Sequence, residues 1–472
     1  MDHGSSARIV EVLRDRIRAA APGSRLPSTR QLVVEHAASP VTVQKALRVL
    51  TAEGLVETRP GVGTFVRVPR SLRAPDHGWQ TGALGAPRAV LPRVAGAMRV
   101  APEGAVALHS GYPEPGLLPE RLVRSALARA ARGSAATTRP PAAGLPDLRA
   151  WFAADLAAAI PADRTVPTAA DVVVVPGTQS GLTTVFRALV PAGGPLLVES
   201  PTYWGAVLAA AQAGVRPVPV TGDAGGLDPD ELDRALWTSG ARAVYVQPTW
   251  ANPTGVQWSP ERSAAVLDVV RRHGAFLVED DWAHDLGIDA DPRPLAAQDD
   301  AGHVVHVRSL TKSVSPAVRV GALVARGPVR ERLLADRGAE SLYVSGVLQQ
   351  AALEVVTDPG WTTHLRRLRP RLRERRDLLV AALREHAPAV DVAVVPTGGL
   401  HLWCRLPDLP GGTDVGRVVA ACEARGVWVA PGDEWFPTEP AAAYVRLSFT
   451  GDDTSGYATA ARVLQEVVAG SP

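Results

Sequence analysis

Residues 304–325 read VVHVRSLTKSVSPAVRVGALVA. Two apolar runs, VVHVRS (304–309) and GALVA (321–325), flank a polar turn that carries Lys312. Short runs rich in Val and Leu, bounded by turn residues, predict buried strands. Upstream stand VVVV (172–175), PLLVES (195–200), AVYVQP (243–248) and AFLVED (275–280), with helical stretches such as 228–237 and 259–273 between them. Strands alternating with helices predict an α/β fold: a mostly parallel sheet with helices on both faces. Ligands on such sheets bind beyond the carboxyl ends of the strands.

The residues with distinctive chemistry cluster at those ends. Ser309-Leu310-Thr311-Lys312 follows one strand, with Arg319 seven residues on. A lysine desolvated there has a lowered pKa and can attack an aldehyde. A lone lysine is more often a solvated surface residue, but composition speaks against that here. Of 50 Lys and Arg residues only Lys45 and Lys312 are lysines. High Ala, Gly, Pro and Arg points to a GC-rich coding bias. A position whose chemistry demands Lys would keep it against that bias, because Arg neither loses its proton near neutral pH nor forms an imine. Glu279-Asp280-Asp281 ends another apolar strand, and a carboxylate buried there needs a cationic partner. A protonated pyridine nitrogen would serve; a metal is the other option, but no His or further carboxylate has fitting spacing, so no metal site is expected. Pro176-Gly177-Thr178-Gln179-Ser180-Gly181 follows a strand and opens a helix, where N–H groups and hydroxyls bind phosphate, although Gly-Thr turns are common. Asn252-Pro253-Thr254-Gly255 follows the strand 243–248; its amide could donate to a phenolate oxygen, and it is also an ordinary turn signal. Arg446, in YVRLSF (444–449), lies on a late strand, where a guanidinium suits a carboxylate.

The N-terminus reads differently. Residues 1–70 hold 11 basic and 6 acidic side chains, a net charge of +5, and the remainder is at −3. A basic end on a mildly acidic body fits nucleic-acid attraction at that end, although a solvated basic face is common. Ile9, Leu13 and Ile17 predict an amphipathic helix over 7–20. Ser28 and Gln31 have capping-box spacing and predict a helix over about 28–37. Ser39-Pro40 starts a third helix, which turns Val43, Ala46, Leu47 and Leu50 inward and stops at Gly54. Residues 55–58 and 64–66 flank a Gly-rich turn and predict a hairpin. The sum is a winged helix-turn-helix, whose third helix lies in the major groove of double-stranded DNA. Thr42, Gln44 and Lys45 would project toward the bases. Arg25, Arg30, Arg48 and Arg59 would hold phosphates, with Ser28 beside them, and the wing tip at Gly61 would enter the minor groove.

The segments RLPSTRQL and SPVTVQKALRVLTAEGLVETRPGVGTFV resemble the DNA-binding domain of the GntR family, with Pro40 where many relatives carry Arg. Residues 105–470 resemble the fold-type I, pyridoxal-phosphate-dependent aminotransferases. That resemblance implies Lys312 as the internal aldimine, Asp280 on the pyridine nitrogen and Asn252 on the ring hydroxyl oxygen. It implies Gly177, Thr178, Gln179, Ser309 and Arg319 at the phosphate, Tyr203 beside the ring and Arg446 on the α-carboxylate. SGYPEP (110–115) is similar to the family's substrate-side segment. The fusion resembles the MocR subfamily of regulators. Its implied layout is a winged helix at 1–68, a linker at 69–104 with a short docking segment near Trp79, and an aminotransferase-like domain at 105–472. In that domain the large part spans about 150–340 and a small α+β part about 360–472. Three departures stand out. Trp282 replaces a tyrosine, offering an indole N–H. Arg139 stands near where a tyrosine reaches a neighbouring subunit's phosphate. Trp250-Ala251-Asn252 is closer to working aminotransferases.

Two functions are therefore expected. One is a DNA-binding regulator that senses pyridoxal phosphate, or an amine or amino-acid effector, through Lys312. The alternative is an active aminotransferase with a 2-oxo acid acceptor. The resemblance also implies a homodimer. No apolar run approaches the ~20 residues of a membrane span, the N-terminus lacks a signal-peptide core, and Cys404 and Cys422 cannot build a disulfide framework. A cytoplasmic protein is expected.

Overall fold

The computed structural model describes residues 3–67, 79–80, 83, 96–409, 412–451 and 453–470, and the chain divides into two compact units, Met1–Pro87 and Arg88–Pro472. Most of the predicted linker, with most of the segment around Trp79, lies outside the described residues.

The first unit has helices α1 (His3–Ala19), α2 (Thr29–Glu35) and α3 (Pro40–Ala52), then strands β1 (Val56–Arg59) and β2 (Gly63–Val66). The strands pair antiparallel, Arg59 opposite Gly63. Ser28 caps α2 in a full capping box with Gln31. Ser39 caps α3 by accepting from the Thr42 N–H at 3.2 Å, and Pro40 fills the first turn. Ile9, Leu13, Leu32, Val43, Ala46 and Leu50 are buried between the three helices.

The second unit is built on one sheet. After a short strand β3 (Val106–Ala107) come β4 (Val172–Val175), β5 (Pro195–Ser200), β6 (Arg216–Asp223), β7 (Gly226–Leu227), β8 (Ala243–Val246), β9 (Phe276–Asp281), β10 (Val304–Ser309) and β11 (Gly321–Val324). The sheet order is β4-β11-β10-β9-β8-β5-β6-β7. All strands but β11 and β7 run parallel. The link from β10 to β11 is too short for a crossover, so that pair is antiparallel. Val172 and Val174 face one core with Leu148 and Phe152; Val173 and Val175 face another with Leu182 and Phe186. That alternation buries β4 on both faces. Strand β6 was not predicted. Its sequence, RPVPVTGD, carries two prolines, which belong near sheet edges, and its outer side meets only two residues of β7.

Beyond the sheet, β12 (His401–Arg405), β13 (Val427–Trp428), β14 (Ala430–Pro431) and β15 (Tyr444–Ser448) form the C-terminal part. Strands β12, β15 and β14 make one small sheet, and β13 pairs with β3. Part of the segment read as linker belongs to this body. The Gly96 N–H donates to Glu434 (2.7 Å), and Arg99 pairs with Glu423 and lies 4.4 Å over the Trp428 ring. Among the described residues no helix is long and apolar enough to cross a membrane, and no cluster of three metal-ligating side chains occurs.

Candidate functional site

The parallel strands deliver their carboxyl ends to one place. From β4 comes the turn to the helix Thr178–Leu189, from β5 comes Tyr203, and from β8 come Gln247 and Asn252. Strand β9 ends at Asp280-Asp281, and β10 ends at Ser309 with Lys312 three residues on. Thr178, Gln179, Tyr203, Asn252, Asp280, Ser309, Lys312, Arg319 and Arg446 all line one cavity of about 660 Å³.

Gly177 has φ 87° and N-caps the helix that follows. A Cβ there would stand 2.8 Å from Arg319 Nη2, so the guanidinium lies directly against the turn. Positive φ and this contact both require glycine. Gln179 is already committed through its side chain: Nε2 donates to the Gly205 carbonyl (2.7 Å), and Oε1 accepts from the Tyr203 hydroxyl (3.3 Å). Its contribution to an anion site would come from its backbone N–H.

Asp280 is buried and half satisfied. Its Oδ2 accepts from the Tyr245 hydroxyl (2.8 Å) and Gln247 Nε2 (2.9 Å), while Oδ1 has no partner among the described residues. Burial raises its pKa to about 6 against the pull of those two donors. Gln247 also accepts from the Asn252 N–H (2.9 Å), tying the carboxylate to the Asn252 loop. The Asn252 side chain accepts through Oδ1 from Trp435 Nε1 (3.1 Å) and Arg446 Nη1 (3.2 Å). Its NH₂ is left without a partner among the described residues.

Lys312 points its Nζ at the face of Tyr112, 3.2 Å from the ring centroid. Desolvation, then the Arg446 and Arg319 charges, hold its pKa well below the usual lysine range, with Asp280 opposing. The turn is anchored from behind: Ser313 Oγ donates to Asp285 (2.6 Å), and Arg308 bridges Asp285 (2.8 Å) and Asp155 (2.9 Å).

Arg446 is buried without a carboxylate partner among the described residues. Besides its bond to Asn252, it donates to the His109 carbonyl (2.8 Å), lies 4.7 Å from the Trp435 ring and approaches His401 Nε2 (3.4 Å), and its Nε is unpartnered among the described residues. Burial pulls its pKa down to about 9. A buried guanidinium without an anion is a ready site for one.

Several readings need correction. Trp282 does not offer its indole N–H to the cavity: it donates to the Trp250 carbonyl (3.2 Å), and the ring stacks on His401. Arg139, read as facing a neighbouring subunit, is exposed on this chain. In the N-terminal unit Thr42 is only 6 % exposed and its hydroxyl shares a hydrogen bond with Ser39 (2.8 Å), so it cannot project to a base. Ser28 spends its hydroxyl within its own cap. Arg25, Arg30, Gln44, Lys45, Arg48, Arg59 and Gly61 are exposed. Arg59 pairs with Glu57, whereas Arg25, Arg30, Lys45 and Arg48 make no ion pair among the described residues. Tyr112, Tyr245, Gln247 and Trp435 were missed. Only the polar Tyr245 and Gln247 alternating within AVYVQP gave a hint.

A winged helix-turn-helix ahead of a fold-type I sheet, with a lysine beyond one central strand and an aspartate ending the next, defines a class: a DNA-binding module fused to an aminotransferase-like body. The profile of aminotransferase class I and II matches residues 110–464, and that of the bacterial regulatory proteins of the gntR family matches residues 5–66. The chain belongs to the aminotransferase class I and II family, which is pyridoxal-phosphate-dependent, and with its GntR module to the MocR subfamily of regulators. It is 30% identical to the probable rhizopine catabolism regulatory protein MocR of Rhizobium meliloti, over 80% of this chain and 75% of that one. It is 25% identical to the HTH-type transcriptional regulator YdcR of Escherichia coli, over 90% of each. The structure of the α-aminoadipate aminotransferase LysN of Thermus thermophilus, complexed with N-(5'-phosphopyridoxyl)-L-leucine, superposes with a TM-score of 0.70 at 26% identity, covering 78% of this chain and 93% of that one.

Proposed function

We propose that this protein is a DNA-binding transcriptional regulator whose C-terminal unit holds pyridoxal phosphate and responds to an amine or amino acid. One observation carries the cofactor reading: a single cavity is lined by a lysine whose pKa burial lowers, a buried aspartate with one oxygen unpartnered among the described residues, and a buried arginine with no carboxylate partner among them. The residues fit the group. Asp280 Oδ1 would accept from a protonated ring nitrogen, and the Asn252 NH₂ would donate to the ring oxygen. Thr178, Ser309, Arg319 and the N–H groups after Gly177 would hold the phosphate, with Tyr203 beside the ring. Bound pyridoxal phosphate supplies an aldehyde that condenses reversibly with amines and a ring that withdraws electrons. Lys312 presents the amine, and Arg446 would take the carboxylate of an incoming amino acid.

The regulator reading rests on the intact GntR module. Gln44 and Lys45 would read bases, and Arg25, Arg30 and Arg48 would hold phosphates. The working layout keeps the DNA-binding domain at 1–68 and the cofactor domain at 105–472, in a homodimer that acts on cytoplasmic DNA. A ligand acts on such a protein only through unequal affinity for two states. In the test, the protein is loaded with pyridoxal phosphate and its visible absorbance compared with that of Lys312→Ala. A lysine-bound band present in the parent and lost in the variant is expected; identical spectra would refute the cofactor assignment.

The desolvated Lys312, its pKa lowered by burial, and the Asn252 NH₂, unpartnered among the described residues, also suit an active aminotransferase. Amino transfer to 2-oxoglutarate at roughly 1 s⁻¹ or faster would favour that reading.

A further inference from the structure

Charge in the cavity limits what it can take. Its lining contains three cations, Lys312, Arg319 and Arg446, and one anion, Asp280. Accepting the cofactor reading above, on which this inference rests, Arg319 serves the phosphate because it lies against Gly177. Lys312 serves as the amine, and Arg446 takes one carboxylate. No lining cation among the described residues is left for a second.

Gln247, Asn252, Thr311 and the phosphate-side residues make part of the remaining lining polar, but one stretch of the wall is apolar: Met98, Tyr112, Trp204, Leu208 and Pro316. It is also held in place. Trp204 packs against the buried Trp435 and tilts against Tyr203 at 5.5 Å. The segment bearing Met98 is pinned by the Gly96 and Arg99 contacts with Glu434 and Glu423. One polar exception is Gln212, whose Oε1 is a long 3.5 Å from Thr183 Oγ1 and leaves the amide able to meet a single polar group such as a phenol or an indole N–H.

We infer that the effector, or substrate, is a monocarboxylic amino acid with a large apolar or aromatic side chain, selected by Trp204, Leu208, Tyr112 and Met98. Covering an apolar side chain on this wall is favourable, whereas a second carboxylate would be desolvated there without a partner.

The test uses the full-length, pyridoxal-phosphate-loaded protein in calorimetric titrations with L-phenylalanine, L-tryptophan, L-leucine, L-glutamate and L-2-aminoadipate. The first three are expected to bind at least about tenfold tighter than the last two. Trp204→Ala should lose most of that preference while keeping the cofactor band. Leu208→Arg, which adds a cation to the wall, should raise L-glutamate affinity about tenfold. Equal or tighter binding of the dicarboxylic pair by the parent, or no binding of any of the five with the cofactor band present, overturns this inference alone. Failure to form a cofactor band overturns the cofactor reading and this inference with it.

Discussion

At the residue scale, Asp280 shows how a site trades stability for function. The group is buried, one oxygen is held by Tyr245 and Gln247, and the other has no partner among the described residues. Its folded pKa of about 6 lies above the ordinary 3.8, so the folded state binds the proton more tightly than the unfolded chain. The resulting penalty is absent below pH 3.8, grows between 3.8 and about 6, and is complete above that. The cofactor-free Asp280→Asn variant should therefore be more stable than the parent at pH 7, by up to about 3 kcal/mol, and the gap should close as pH falls toward 4. Urea unfolding at both pH values checks it; a variant less stable than the parent at pH 7 would contradict it. The same variant should bind pyridoxal phosphate more weakly, because the ring nitrogen loses its anion. Lys312 has the complementary shift. Its depressed pKa means that the unfolded chain binds more protons between that value and 10.5, so its share of stability rises with pH across that window and is lost as pH falls. Lys312→Met should remove that slope from the cofactor-free protein.

At the scale of elements, what was legible in the sequence was local. The runs 304–309 and 172–175 coincide with β10 and β4 because Val-rich segments buried on both faces need no alternation to identify them. Ser28-Gln31 and Ser39-Pro40 located two helix starts because capping is satisfied within four residues. Contacts made across the fold were not legible. Tyr245 and Gln247 reach Asp280 from a neighbouring strand, Trp435 reaches Asn252 from the C-terminal part, and the Trp282 N–H is taken by the Trp250 carbonyl. Thr42 misled because its helical position points outward only if the first turn leaves its hydroxyl free, and the Ser39 cap does not. Strand β6 was hidden by prolines that its near-edge place tolerates. Two elements carry predictions. Gly177→Ala introduces a Cβ against Arg319 at a positive φ, and should weaken pyridoxal phosphate affinity at least about tenfold with little change in the fold, as read by fluorescence titration. Ser39→Ala removes the α3 N-cap and should cost the N-terminal unit about 1 kcal/mol, as measured by chemical denaturation; an unchanged midpoint would show that the cap is not stabilising.

At the scale of the whole molecule, charge and chemistry are divided between the two units. The excess of +5 sits in the first 70 residues and the cofactor-type cavity in the remainder. DNA affinity should therefore fall steeply with salt, and Lys45→Ala should lessen the slope by about one unit if Lys45 meets a phosphate, or relax sequence preference at one base pair if it meets guanine. A salt-independent interaction would argue against the winged helix as the contact surface. What happens at Lys312 is expected to be read out at the DNA. The most direct test is the affinity of the full-length protein for the DNA upstream of its own gene, by fluorescence anisotropy, with and without pyridoxal phosphate, for the parent and for Lys312→Ala. A several-fold change in affinity with the cofactor in the parent, absent in Lys312→Ala, is the predicted result; the same affinity in all four measurements would contradict it.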